Sequence, residues 1–149
     1  MTQQQSDVLE REIYIAARPE TVFAFLVDPE KMKRWMGRDV TLDPRPGGIY
    51  RCDINGQAIA RGEYVEVQPF SRVVFTFGWE GESAIPQPGG STVEFLLTPD
   101  GEGTLLRLRH LGLSPEERSS HGEGWDHFMP RLAAAAEKRD VGPDPWGAG

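Results

Sequence analysis

Polar and apolar positions divide the chain into stretches of period two and stretches of helical period. Leu9, Ile13 and Ile15 share one face of an extended segment over residues 9–16. Pro19 then opens a short helix carrying Val22, Phe23, Leu26 and Val27. Asp28-Pro29-Glu30 reads as a second start, with Asp as the cap, Pro in first position and an acid in the first turn. It predicts a helix to about Trp35. Period two then takes over, with strands predicted at 40–42, after the Pro46-Gly47-Gly48 turn at 49–54, and at 59–67. Asn55-Gly56, two residues that accept positive φ, predicts the hairpin between the last two. In the next strand, 73–79, Val73, Phe75, Phe77 and Trp79 share a face. A Gly/Pro-rich loop fills 80–91. Val93, Phe95 and Leu97 then alternate with polar positions, Asp100-Gly101 turns, and Thr104, Leu106, Leu108 and His110 alternate with Leu105, Arg107 and Arg109. Tight turns between successive strands imply an antiparallel meander.

The last element is helical. Ser114-Pro115-Glu116-Glu117 supplies a cap, a first-position proline and the acid of a capping box. Trp125, Phe128, Met129, Leu132 and Ala136 form its apolar stripe. Gly122, Gly124 and Pro130 predict a break near 120–124 or a bend near 130. The order of one strand, two short helices, about six strands and a long helix predicts an α+β domain. Its curved antiparallel sheet of six to seven strands wraps around the C-terminal helix, the only element long enough to cover it. The domain is expected over 8–139, with 1–7 and 140–149 as flexible termini.

Composition narrows the function. The 149 residues carry a net charge of −7. That argues against nucleic acid as a partner, which calls for a basic face, and more weakly against an anionic membrane surface. No apolar run approaches the roughly 18 residues of a membrane span, and the first seven residues lack an apolar signal core. A single cysteine, Cys52, excludes an internal disulfide framework and a multi-cysteine metal site, and fits a reducing, cytoplasmic setting. Arg51, its one basic neighbour, alternates to the other face, so Cys52 reads as an inert, half-buried thiol.

The candidate chemistry is sparse. His121 and His127 are six apart, about 120° around a helix of 3.6 residues per turn, and no HExxH motif occurs, so no metal site or cofactor is expected. His127, beside Asp126, reads as a solvated surface residue. Parity aims His110 at the covered face, either as a ligand-orienting or proton-transfer group or as a core histidine satisfied by a partner. His121, four residues before Trp125, fits a cavity mouth or plain exposure. Trp35, Tyr50, Tyr64, Phe75, Phe77, Trp79, Phe95, Trp125 and Phe128 form an aromatic set that fits a pocket lining or simple core packing. Trp79 and Trp125 stand out, since a buried indole N–H wants a partner and both lie near Gly-rich loops. Both faces of 59–67 look partly apolar, which leaves the side of Tyr64 open and suggests a bulge.

Ile15 to Phe23 (IAARPETVF), Asp28-Pro29-Glu30-Lys31 leading to Trp35, Pro46-Gly47-Gly48, Gly62-Glu63-Tyr64, Val73 to Phe77 (VVFTF) and Gly124-Trp125 followed by Leu132 occur in an order that resembles a known family. Over about 10–138 the chain is similar to AHSA1-like proteins (activator of Hsp90 ATPase homologues) of the START-like, or SRPBCC, superfamily. The resemblance implies the helix-grip fold (START-like, Bet v 1-like), with a cavity between sheet and long helix that takes small apolar or aromatic molecules. The ligand-binding expectation therefore covers the aromatic set with His110, His121 and Met129. In this superfamily such a role is carriage, sensing or sequestration. Some members are enzymes on hydrophobic substrates. The eukaryotic namesake acts on a chaperone, using a separate N-terminal domain for which 149 residues leave no room. An exposed sheet edge would also allow a homodimer.

Overall fold

The computed structural model describes residues 8–142 and 144–146. Residues 1–7, 143 and 147–149 lie outside the described residues. The elements are β1 (Val8–Ile15), α1 (Pro19–Val27), α2 (Pro29–Met32), β2 (Asp39–Leu42), β3 (Ile49–Asp53), β4 (Ile59–Gln68), β5 (Arg72–Trp79), β6 (Ser91–Asp100), β7 (Gly103–Leu111) and α3 (Pro115–Ala136). The seven strands form one antiparallel sheet in the order β1-β7-β6-β5-β4-β3-β2. Each strand from β2 to β7 pairs with its sequence neighbour, and β1 returns to close on β7.

Period two decides what faces the helices. Tyr50, Cys52, Tyr64, Phe75, Phe77, Phe95, Leu106, Leu108 and His110 are all buried on the concave face. Tyr64 points inward, and the expected bulge lies directly after it, between Tyr64 and Glu66. Cys52 is fully buried rather than half-buried. Burial pushes its thiol up to about 12.

The convex face is a charge ladder. Glu94 on β6 lies between Arg72 on β5 (2.5 Å) and Arg109 on β7 (3.1 Å). Arg109 continues to Glu10 on β1 (3.3 Å), Arg72 to Glu66 on β4 (3.0 Å), and Arg107 pairs with Glu12 (3.0 Å).

Three local expectations are corrected. The second short helix ends at Met32, not near Trp35; a turn follows, closed by the Trp35 N–H on the Met32 carbonyl, and Gly37 at φ +88° leads the chain out. An added Cβ at Gly37 would overlap Cys52 Sγ, so the position needs glycine twice over. The 55–56 turn is a longer loop, in which Asn55 Oδ1 accepts from the N–H groups of Gln57 and Ala58 and only Gly56 takes positive φ. And α3 runs without the break expected at 120–124, through Gly122 and Gly124 and with Pro130 inside the helix. Its N-terminus is held by the complete Ser114/Glu117 capping box. Gly122 has a packing reason: a Cβ there would stand 2.7 Å from Arg11 Nη2 and 3.5 Å from Leu9 Cδ1, so glycine lets α3 lie close on β1. The burial of Trp125, Phe128, Met129 and Leu132 outweighs two glycines at about 1 kcal/mol each, since each large side chain contributes roughly 1.5–3 kcal/mol.

His127 is not a solvated surface residue. Asp144 bonds its Nε2 (2.7 Å), and the Trp146 indole stacks on its ring (centroids 4.0 Å, 6° between planes). The described part of the tail is laid along α3, where Arg131 donates to the carbonyls of Val141 and Gly142.

Candidate functional site

A pocket of about 450 Å³ opens at one end of the helix–sheet sandwich. That lies in the range of small-molecule sites, roughly 300–1,000 Å³. The sheet brings Phe77 and Trp79 from the end of β5. The β3–β4 loop adds Ile54, Asn55 and Ala58, and the turn after α2 adds Met36. One face of α3 supplies Ser120, His121, Gly124, Trp125 and Phe128. Ile85 of the 80–90 loop and Trp146 of the tail, 69% and 44% exposed, form the rim.

Two tryptophan–histidine pairs order the inner end. The Trp125 Nε1–H donates to His110 Nδ1 (3.1 Å). Ser91 Oγ donates to the Phe77 carbonyl (2.7 Å), so its contact with His110 Nε2 (2.9 Å) has the histidine as donor. His110 is therefore neutral, protonated on Nε2, with both nitrogens used. Burial, with His121 beside it, lowers its pKa to about 3. The second pair repeats the logic nearer the mouth. The Trp79 Nε1–H donates to His121 Nε2 (3.0 Å), and His121 Nδ1 donates to the Glu117 carbonyl one turn back (2.8 Å). The two imidazoles pack edge to face (5.4 Å), with Phe77 against both.

The wall thus offers a ligand mainly carbon. Among the described residues no Asp, Glu, Lys or Arg lines it. Ser120 Oγ donates to the Glu117 carbonyl. The Asn55 amide nitrogen and, at the rim, the Trp146 indole N–H have no partner among the described residues and are open polar handles.

The aromatic candidates fall into two groups. Phe77, Trp79, His121, Trp125 and Phe128 line the pocket, with His110 directly behind Trp125. Tyr50, Tyr64, Phe75 and Phe95 sit deeper in the core, where Tyr50 and Phe75 stack at 4.0 Å. Trp35 donates to the Phe25 carbonyl, and Met129 is buried under α3. Burial raises the pKa of both core tyrosines. The Tyr64 hydroxyl is, among the described residues, the one buried side-chain polar atom without a hydrogen-bond partner. Sequence reasoning did not reach Met36, Ile54, Asn55, Ala58, Ile85, Ser120, Gly124 or Trp146. Of these, Gly124 had appeared as a predicted helix break and beside Trp125 in the family-like segments, Ile85 lay within the Gly/Pro-rich 80–91 loop, and Trp146 stood out as a large apolar residue outside the expected core. Among the described residues no group of three His, Cys, Asp or Glu is placed to hold a metal ion, and no helix is long and apolar enough to cross a membrane.

Comparison with known proteins agrees with this architecture. No curated protein matches the chain. The solution structure of an AHSA1-like protein from Rhizobium etli is 46% identical, over 95% of this chain and 89% of that one, with a TM-score of 0.74. CalU16 from Micromonospora echinospora is 26% identical over 87% of this chain and 74% of its own, with a TM-score of 0.67. The Aha1 dimer from Colwellia psychrerythraea shares the fold at a TM-score of 0.75 and 20% identity, over 87% of this chain and 96% of that one. The family model for activator of Hsp90 ATPase homolog 1-like proteins matches residues 16–137. With most of the chain matched and the helix-grip architecture in place, the protein belongs to the AHSA1 family.

Proposed function

We propose that the protein binds a small apolar or aromatic molecule in the pocket between the end of β5, the β3–β4 loop and α3, as a carrier, sensor or sequestering factor. The observation that carries this reading is the lining: aromatic and aliphatic walls around about 450 Å³, with both histidine rings already committed to protein partners. Aromatic walls favour planar ligands through offset and edge contacts. The Asn55 amide supplies one donor for orientation.

The experiment is thermal unfolding against a panel of apolar and aromatic compounds, run on the protein and on Gly124→Leu. A Cβ at Gly124 meets no atom within 4 Å, so a leucine there grows into the pocket. A compound at 100 times its dissociation constant stabilises by about 2.7 kcal/mol, a rise of roughly 5–10 °C at this chain length. The expected result is such a rise with one chemical class and its loss in Gly124→Leu. No rise with any compound, or a rise that Gly124→Leu retains, would overturn the reading.

A further inference from the structure

A second pocket, of about 380 Å³, adjoins the first, and Met36 and Ile54 line both. Its chemistry is the opposite. Lys33, Arg34, Arg38 and Arg131 line it, against one acid, Asp144. In a chain of net charge −7 this is a local reversal of sign. Nor are these cations fully neutralised. Arg131 spends its guanidinium on the carbonyls of Trp35, Val141 and Gly142. Arg34 makes no side-chain hydrogen bond or ion pair among the described residues. Arg38 stands 3.8 Å from a largely buried Asp53, beyond hydrogen-bond reach, and Lys33 3.2 Å from an exposed Glu30. Asp144 is itself bonded to His127. Such a cluster favours an oxyanion, and arginine more than lysine suits the two-oxygen geometry of a carboxylate.

The tail already places this pair of chemistries. Asp144 lines the basic pocket and Trp146, two residues on, lines the apolar one. One short stretch thus sets a carboxylate beside the cations and a flat aromatic ring at the apolar mouth. We propose that the ligand is an apolar acid: an aromatic or aliphatic body in the apolar pocket, with a terminal carboxylate or comparable oxyanion against Arg34 and Arg38. The Asp144–Trp146 segment is its intramolecular counterpart and shifts aside when it binds. This inference rests on the apolar-pocket reading above and names the ligand class for it.

Two fluorescent probes separate the two ideas. Anilinonaphthalene sulfonate and its uncharged parent, phenylnaphthylamine, share a ring system and differ in the anion. Both would be titrated into the full chain, into Arg34→Gln/Arg38→Gln and into Gly124→Leu. Both arginine side chains lie at the surface, and Arg34→Gln alone serves if the double variant fails to fold. The expected result is a roughly tenfold weaker sulfonate dissociation constant in the arginine variant, equivalent to about 1.4 kcal/mol, with the neutral probe unchanged. Gly124→Leu weakens both. Raising the salt concentration weakens the sulfonate alone. Equal effects of the arginine variant on both probes, or none on either, overturn the acid subsite and leave the apolar pocket standing. Failure of the sulfonate alone to bind the unaltered protein likewise overturns the acid subsite, and failure of both probes overturns the pocket itself.

Discussion

Gly122 and Gly124 lie two residues apart in α3, yet the space around them differs. An added Cβ at Gly124 meets nothing within 4 Å; at Gly122 it meets Arg11 Nη2 at 2.7 Å. Neither glycine takes positive φ. Alanine at either site therefore gains the helix-propensity difference, about 0.5–1 kcal/mol, largely by narrowing the unfolded ensemble. At Gly124 nothing opposes the gain. For a chain of this length it converts to a melting temperature higher by roughly 1–4 °C. At Gly122 the methyl group must displace the Arg11 guanidinium, which pairs with Asp126 at 2.6 Å. Exposed pairs of this kind are worth about 0–1 kcal/mol, so the gain is largely cancelled and Gly122→Ala melts close to the parent. Calorimetry on the three proteins, at one pH and without ligand, decides it. If Gly124→Ala melts at or below the parent, the space beside Gly124 is not free, and the reasoning that makes Gly124→Leu a pocket-filling probe fails with it.

Two other expectations follow from buried titratable groups. His110 has a folded pKa of about 3 against roughly 6.5 in the unfolded chain. The unfolded state thus takes up a proton below pH 6.5 that the native state refuses. This group costs nothing above that pH and up to about 1.4 kcal/mol per unit on the way down to pH 3. Gln at 110 can still donate to Ser91 and accept from Trp125, so denaturant titrations of His110→Gln between pH 7 and 4.5 should lose on the order of 2 kcal/mol less than the parent; equal losses would contradict the assignment. Cys52, fully buried with its thiol pushed up to about 12, should resist a thiol reagent at pH 8 in the native protein and react at once in denaturant; rapid native labelling would count against that burial.

The strands were legible because alternation is local. Phe75 and Phe77, or Leu106 and Leu108, announce their face within a few residues. The continuity of α3 was not, because it depends on Arg11 and Leu9, more than a hundred residues away, needing room at Gly122. The bulge after Tyr64 showed as two half-apolar faces, but which face was buried came only from pairing with β5. The pocket was half legible. Aromatic side chains advertise themselves, whereas Gly124 contributes by having no side chain, and Ile54, Asn55 and Ala58 by where a loop folds. The basic pocket was hidden altogether, since Arg34 and Asp144 are brought to one place only by the path of the tail over α3.

The ladder on the convex face bears on how the strands find their partners. Sliding β1 along β7 by two residues keeps each side chain on the face it already occupies, so burial on the concave side alone does not forbid it. In the native register Glu10 faces Arg109 and Glu12 faces Arg107. A two-residue slip in either direction leaves one of these acids opposite a leucine, Leu105 or Leu111. Each surface pair adds little to the final stability. Their alternation instead distinguishes the correct alignment from its nearest parity-preserving competitor, the one error that hydrophobic patterning cannot detect.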